Sequence, residues 1–441
     1  MREEAPTRKR GRREGTPKQL EHAFPRGLGR ACGAVSQVGP RRVAPLPWPT
    51  FSFLRPILSC LPQRFSVEFV HRVRFTRDLL SSANQCLGEA LACPDEGGQR
   101  RAIVFIDSGV AASWPDTAAR LTAALARPGM PSLAHVGVIP GGERCKTDLT
   151  AYDTVMAAIN EHHIDRRSWV IGIGGGAVLD VVGFAAATGH RGVRHVRIPT
   201  TVLAQDDAAM GVKSGLNRFG KKNFVGSFAP PWAVLCDFDF LRTLAPRDWR
   251  AGFSEAVKIA LLRDRALLEQ LEAEATAIAA GVGTAGLGII ERSAMLHLRH
   301  ITEGGDPFEL QQARPLDFGH WAAHRLERMS DWTVSHGEAV AIGLALDCTI
   351  SHLLGWLSEA ELARIIRLLE ALGLPTAHPL LERVDELVTG LEEFREHLGG
   401  QLMVTMLRGI TQPVDVHSID PGLLRRAIAQ RLAAARTTSQ Q

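Results

Sequence analysis

Residues Trp169–Gly176 read W-V-I-G-I-G-G-G and run directly into Ala177-Val178-Leu179-Asp180-Val181-Val182. The opening apolar run suits a strand buried on both faces, and the apolar residues after it keep a helical period. Glycines at such a junction let the backbone approach a ligand closely, and the N-terminus of the next helix favours the charge of a pyrophosphate. The run is not G-x-G-x-x-G, and a tight packing turn would use the same glycines. A strand over 169–173 and a helix over 177–187 are predicted, with a dinucleotide-type turn between them.

The same alternation recurs on either side. RAIVFID (101–107) precedes a helical pattern over 117–126, LAHVGVIP (133–140) precedes one over 149–162, and VRHVRIPTT (193–201) follows the glycine turn. Strands spaced by amphipathic helices indicate parallel βαβ units. Beyond about Pro246 the strands nearly stop. The stretches 255–280, 292–303, 337–355 and 358–373 repeat apolar residues at helical spacing, and QLMVTML (401–407) is the one late strand candidate. The expected division is a basic extension over 1–64, an α/β nucleotide-binding domain over 65–245 and a helical domain over 246–441.

Charge and cysteine usage narrow the class. The 441 residues hold 51 Lys+Arg and 47 Asp+Glu, of which 13 basic and 4 acidic residues fall in 1–64, leaving 38 and 43 for the body. A mildly acidic body speaks against nucleic-acid binding. The first 64 residues mix Arg-rich and Pro-rich runs (TRKRGRREGTPK, GPRRVAPLPWPT) without periodicity. That composition does not offset the entropy of ordering, so they read as a dispensable disordered extension. No run of 18 apolar residues offers a membrane span. Seven scattered cysteines without a C-x-x-C pair suit a reducing compartment, so a cytoplasmic protein is expected.

Downstream of the glycine turn, residues 198–231 read IPTTVLAQDDAAMGVKSGLNRFGKKNFVGSFAPP. Together with GGGAVLDVVGFAAATGHRG (174–192), the chain carries GGG-x3-D-x2-GF, PTT-x-LA-x-x-D, G-x-K and KN-x-x-G-x-F-x-x-P in that order. This series resembles the 3-dehydroquinate synthase superfamily, the sugar-phosphate cyclases, over roughly 67–407. The resemblance implies an α/β Rossmann-like NAD-binding domain followed by an all-helical metal-binding domain. It places Asp107 and Gly109 at the adenosine ribose and Glu143 and Lys146 in a second nucleotide contact. Gly174, Gly175, Gly176 and Asp180 fall at the pyrophosphate and nicotinamide end, with Thr200 and Thr201 beside them. It also implies a homodimer in which Arg191 reaches a phosphate in the neighbouring active site.

The helical half offers Glu255, His320 and His336, one carboxylate and two imidazoles of the kind that hold a catalytic zinc. Among 16 histidines spacing alone is unspecific. His320 and His324 stand at i and i+4 with Trp321 between them, so H-E-x-x-H metalloprotease chemistry is excluded. By resemblance, Glu255, His320 and His336 are the ligands of a zinc or cobalt ion and His324 is a substrate-side catalytic histidine. Lys213, Lys222 and Asn223 combine ammonium charge with an amide donor, which suits a phosphate monoester; a solvated basic loop would look alike. The resemblance puts them in the substrate site with the catalytic pair Asp207 and Lys258. The implied reaction is redox-neutral: hydride loss to NAD, β-elimination of phosphate, hydride return, ring opening and intramolecular aldol closure.

Two departures bear on the substrate. Where 3-dehydroquinate synthase reads R-x-x-LNFGHT-x-GHA, this chain reads Arg314-Pro315-Leu316-Asp317-Phe318-Gly319-His320-Trp321-Ala322-Ala323-His324. The Arg-to-His interval is one residue short, and Asp317 replaces Asn. Like charges at roughly 4 Å repel by about 4 kcal/mol at an effective dielectric near 20, so Asp317 disfavours a carboxylate substrate and suits hydroxyls. The family's nearby lysine is missing, with Arg299 or His300 on offer, and His397 (or Arg395) stands near its late phosphate lysine. The expectation is sedoheptulose 7-phosphate turned into 2-epi-valiolone. 3-Dehydroquinate synthase is the alternative, and an iron-type polyol dehydrogenase the more distant one.

Overall fold

The computed structural model describes residues 63–92, 100–281, 283–304, 307–308, 315–397 and 400–438, so the extension expected over 1–64 lies almost wholly outside the described residues. The chain runs through β1 (Val73–Thr76), β2 (Arg101–Asp107), β3 (Ser132–Ile139), β4 (Trp169–Gly174) and β5 (Arg194–Pro199). It continues through β6 (Lys213–Arg218), β7 (Lys221–Phe228) and β8 (Ala233–Asp237). Six of these form one parallel sheet in the order β1-β8-β5-β4-β2-β3. From β2 the chain steps outward to β3, returns across β2 to β4, and then proceeds the other way through β5. Open α/β sheets bind ligands beyond the carboxyl ends of their strands at such a reversal, and here it falls where Asp107 ends β2 and Gly174 ends β4.

Strand β4 is buried along its whole length, as a central parallel strand with a near-continuous apolar run should be. One face of the sheet packs Leu87 and Leu121; the other packs Val155, Val178 and Val182 from helices Thr150–Glu161 and Gly176–Thr188. The hairpin β6–β7 has no counterpart in the sequence reading, which saw only a polar, glycine-rich segment. Its two-residue tip, Phe219-Gly220, takes positive φ at both positions (52° and 69°), as a type I′ turn requires.

The C-terminal half is built of helices around one that is buried on nearly every side, His336–Leu353. Ser335 and Glu338 start that helix with a reciprocal capping box, a device worth roughly 1 kcal/mol. Gly337 and Gly343 let neighbouring backbone come close, since a Cβ there would collide with the carbonyls of Ala251 and Gly319. The all-helical expectation needs one correction. Strand β9 (Val404–Leu407), read in QLMVTML, pairs antiparallel with β10 (Pro413–Val416), whose leading proline suits the edge of a ribbon. No helix of the described residues is long and apolar enough to cross a membrane.

Candidate active site

Three helices deliver one cluster. Glu255 lies within Pro246–Arg263, His320 opens His320–Met329 and His336 opens His336–Leu353; their ligand atoms all fall within 4.8 Å of one another. Glu255 Oε1 is 3.5 Å from His320 Nε2 and 3.4 Å from His336 Nε2. A tetrahedral zinc-type centre with bonds of about 2.0–2.1 Å needs ligand atoms roughly 3.3–3.4 Å apart, so the spacing fits. Each imidazole has its other nitrogen engaged, His320 Nδ1 with Phe318 O at 3.0 Å and His336 Nδ1 with Glu327 Oε2 at 3.1 Å. Such outer contacts fix the tautomer and aim Nε2 at a metal. Both Glu255 oxygens are buried without a well-formed hydrogen bond, although the Lys258 ammonium lies 2.6 Å from Oε2. Burial and Lys222 lower the His336 pKa, but Glu327 and Glu255 outweigh them and bring it to about 9. A cation among these groups competes for that proton.

Lys258 is 2% exposed and lies 3.5 Å from Asp207 Oδ1. Burial alone would lower its pKa; Asp207 and Glu255 overcome that and raise it, and the charge of Asp317 adds to the same field. Burial likewise opposes ionisation of Asp207, yet Lys258 holds its pKa down to about 2. The neighbouring Asp206 behaves oppositely. It is fully buried, neither oxygen finds a hydrogen bond among the described residues, and burial followed by Asp207 pushes its pKa well above the usual carboxylate range. The π-helical turn Ala204–Ala208 lets the two side chains diverge. His297 Nδ1 lies 2.9 Å from Asp207 Oδ1. Of the residues on its helix it is His297, rather than Arg299 or His300, that meets Asp207. On helix Leu287–Glu303, His297 turns inward, Arg299 is exposed and His300 meets Arg263 at 3.1 Å.

The expected nucleotide and phosphate groups meet in one network. Lys146, 2% exposed, donates to Asp180 at 2.5 Å and to Asn223 Oδ1, and lies 3.6 Å from Glu143. Glu143 accepts from Asn217 Nδ2, whose Oδ1 accepts from Asn223 N, both at 2.9 Å. Lys222 Nζ donates to the two oxygens of Glu327 at 2.6 and 2.7 Å and lies 3.3 Å from His336 Nδ1. It is therefore counter-charge to the carboxylate behind a ligand as well as a neighbour of the cluster. Burial, then Lys222, lowers the His324 pKa well below its ordinary value, which keeps the ring neutral. A cavity of about 220 Å³ opens against Lys222, Asn223, Trp321, His324, Arg325 and Phe394.

At the strand ends, Asp107 caps Ser108–Ser113 by accepting from Gly109 N at 2.7 Å. A side chain at Gly141 or Gly174 would collide with Asp107. Gly175 begins Gly176–Thr188 without a side-chain cap, so the first-turn N–H groups remain to be met by a ligand. Thr200 N donates to Gly174 O at 3.0 Å, and Thr201 Oγ1 accepts from Ala204 N at 3.1 Å. Lys213 and Arg191 are exposed. Arg314 lies outside the described residues, as does the side chain of His397.

Glu327, His297 and Asn217 are absent from the sequence reading. The first was legible, because His320, His324 and Glu327 stand at i, i+4 and i+7 on one helix face. His297 and Asn217 carry no local signal, since His297 meets Asp207 and Asn217 meets Glu143 across long stretches of chain.

Residues 136–251 match the family described as 3-dehydroquinate synthase N-terminal, and residues 252–393 its C-terminal counterpart. The chain belongs to the 3-dehydroquinate synthase family. Family members named 3-dehydroquinate synthase include one from Halorhodospira halophila, 38% identical over 292 residues (66% of this chain, 81% of that one). Another, from Paracoccus denitrificans, is 36% identical over 372 residues (81% and 95%). Among solved structures, ValA, a 2-epi-5-epi-valiolone synthase from Streptomyces hygroscopicus subsp. jinggangensis with NAD+ and Zn2+ bound, superposes with a TM-score of 0.77 at 29% identity. That match covers 85% of this chain and 100% of ValA. A 2-deoxy-scyllo-inosose synthase complexed with carbaglucose-6-phosphate, NAD+ and Co2+ shares the fold, with a TM-score of 0.67, 24% identity and coverage of 81% and 96%.

Proposed function

We propose that this family member is an NAD- and divalent-metal-dependent cyclase that converts sedoheptulose 7-phosphate to 2-epi-valiolone and inorganic phosphate. The substrate choice rests on Asp317, which stands where the family text has Asn and whose charge adds to those of Asp207 and Glu255 around Lys258. A third carboxylate in that field repels a carboxylate-bearing substrate and accepts hydrogen bonds from the hydroxyls of a neutral polyol. The names of curated relatives at 36–38% identity favour 3-dehydroquinate synthase as the second reading. The phosphate-binding set, for which a polyol dehydrogenase has no use, counts against the third.

Glu255, His320 and His336 would hold the metal, zinc or cobalt. The turn Gly174–Gly176 would hold NAD with Asp107, Gly109, Glu143, Lys146, Asp180, Thr200 and Thr201. When bound, the metal supplies Lewis acidity and NAD a hydride acceptor that is regenerated in each cycle. The remaining work falls to the chain's own groups. Lys258, kept charged, donates to substrate oxygen, and Asp207, kept ionised, accepts from a hydroxyl. His324, kept neutral, can take a proton from the substrate. Lys213, Lys222 and Asn223 orient the phosphate, and the family resemblance adds His397 to that role and Arg314 and Asp317 to binding of the ring. His190, Arg191 and Gly192 take positive φ in succession (50°, 62° and 121°), a backbone that costs the two side-chain-bearing residues roughly 1–2 kcal/mol each. That strained corner presents an exposed Arg191, which supports its reaching the active site of a second copy in a homodimer. The scattered cysteines keep the cytoplasm as the proposed location.

Asp317→Asn tests the substrate choice. The expected result is at least a tenfold fall in kcat/KM for sedoheptulose 7-phosphate, about 1.4 kcal/mol, with no fall for the heptulosonate substrate of 3-dehydroquinate synthase. An unchanged kcat/KM for the heptulose phosphate overturns the role given to Asp317.

A further inference from the structure

His320 is the first residue of its helix and follows Gly319, a left-handed residue (φ +79°) at a point where a Cβ would press on Leu344. Where the His320 ring points therefore depends on how firmly this turn is held against the central helix. Two residues of that helix hold it. Gly343 receives the Gly319 carbonyl at a distance that leaves no room for a side chain. One turn further on, on the same face, Asp347 accepts from Gly319 N through Oδ2 at 3.0 Å and from Trp321 Nε1 through Oδ1 at 2.9 Å. One carboxylate thus grips the residues on both sides of His320 without touching the imidazole, and the Trp321 it anchors forms a wall of the cavity beside Lys222 and His324.

The choice of an acid here is costly. Asp347 is 0% exposed, Trp321 is 1% exposed, and no cation pairs with Asp347 among the described residues. A buried carboxylate without a counter-ion is weak evidence of stabilisation and better evidence of a geometric task. Burial pushes its pKa up to about 7 against the pull of the two hydrogen bonds, in line with that cost. No smaller change reproduces the grip. Asparagine has one acceptor oxygen, so it satisfies Gly319 N or the indole N–H and turns an NH2 toward the other.

We propose that Asp347 is a positioning residue that sets the orientation of the His320 imidazole and of the Trp321 wall of the substrate cavity by accepting from Gly319 and Trp321 at once. The inference rests on the metal reading of Glu255, His320 and His336. It goes beyond that reading because Asp347 contacts neither ligand atom nor cavity.

The test is Co2+ titration of the full-length protein, read by visible absorption, for the wild type, Asp347→Asn, Trp321→Phe and the double variant, with Glu255→Ala alongside. Asp347→Asn should weaken Co2+ binding by about ten- to a hundredfold and alter the absorption bands, as loss of a group behind a ligand does. The double variant should bind Co2+ more tightly than Asp347→Asn alone, because the phenyl ring removes the donor that asparagine cannot answer. Such rescue is a non-additive signature that a general loss of stability does not produce. If Asp347→Asn fails to fold, the comparison of Trp321→Phe with the double variant carries the test: near-equal affinities support the proposal, and a further loss of Co2+ affinity of about tenfold or more in the double variant relative to Trp321→Phe overturns it. Wild-type affinity and spectrum in Asp347→Asn, with metal lost in Glu255→Ala, overturn the role of Asp347 alone. A wild type that binds no Co2+ overturns the metal reading and this inference together.

Discussion

Glu255→Ala and His336→Ala are each expected to abolish metal binding and to lower kcat/KM by at least about 10⁴-fold, roughly 5–6 kcal/mol of transition-state stabilisation. The two variants damage different surroundings. Removing Glu255 strips a carboxylate from Lys258, 2.6 Å away. Removing His336 instead releases Glu327 and Lys222. The cluster of ligand atoms within 4.8 Å is what they share, so a common loss of metal and turnover in folded protein identifies that cluster as the cause. Metal content by elemental analysis and turnover by phosphate release are the readouts. Normal activity with unchanged metal content in either variant would falsify the ligand assignment.

Glu327→Gln is expected to have the second largest effect, on stability as much as on metal affinity. Glu327 is 2% exposed and bridges Lys222 to the Nδ1 of His336. Burial works against its charge, but Lys222 and His336 depress its pKa far below the usual carboxylate range. A depressed acid contributes stability above its unfolded pKa and loses that contribution only as pH falls through the folded value. The pair is therefore fully in force at neutral pH. Glutamine leaves the Lys222 ammonium, 8% exposed, without its counter-charge, and breaking a buried pair from one side costs about 3–5 kcal/mol. It also leaves one acceptor oxygen for Lys222 and the His336 Nδ1–H to share, which loosens the hold on the His336 tautomer, so Co2+ affinity should fall about ten- to a hundredfold. Urea denaturation at pH 7 and Co2+ titration measure the two effects. A denaturation midpoint and a metal affinity both equal to wild type would remove Glu327 from the account.

The fold was legible because its signals are local. Trp169–Gly174 and the helix after it announce themselves by an apolar run meeting glycines, and the structure places both within a residue or two of the expected bounds. The grouping of Glu255, His320 and His336 was legible only through the family resemblance of the text around them, since their spacing in sequence is unspecific. The β6–β7 hairpin was not, because its polar, glycine-rich residues alternate too weakly to mark a strand. Contacts made across the fold were also hidden: His297 reaches Asp207 and Asp347 reaches Gly319 over long stretches of chain. Lys222 shows the limit of reading chemistry from residue type. A lysine in a basic segment suggests a phosphate ligand, but its buried position gives it a carboxylate to neutralise as well.

The most direct test of the central claim is phosphate release by the wild-type protein with NAD and Co2+ or Zn2+, offered sedoheptulose 7-phosphate and the heptulosonate substrate of 3-dehydroquinate synthase in parallel. The account predicts turnover of sedoheptulose 7-phosphate, no comparable turnover of the heptulosonate, and no net accumulation of NADH. Turnover of the carboxylate substrate alone would contradict it and assign the chain to 3-dehydroquinate synthesis.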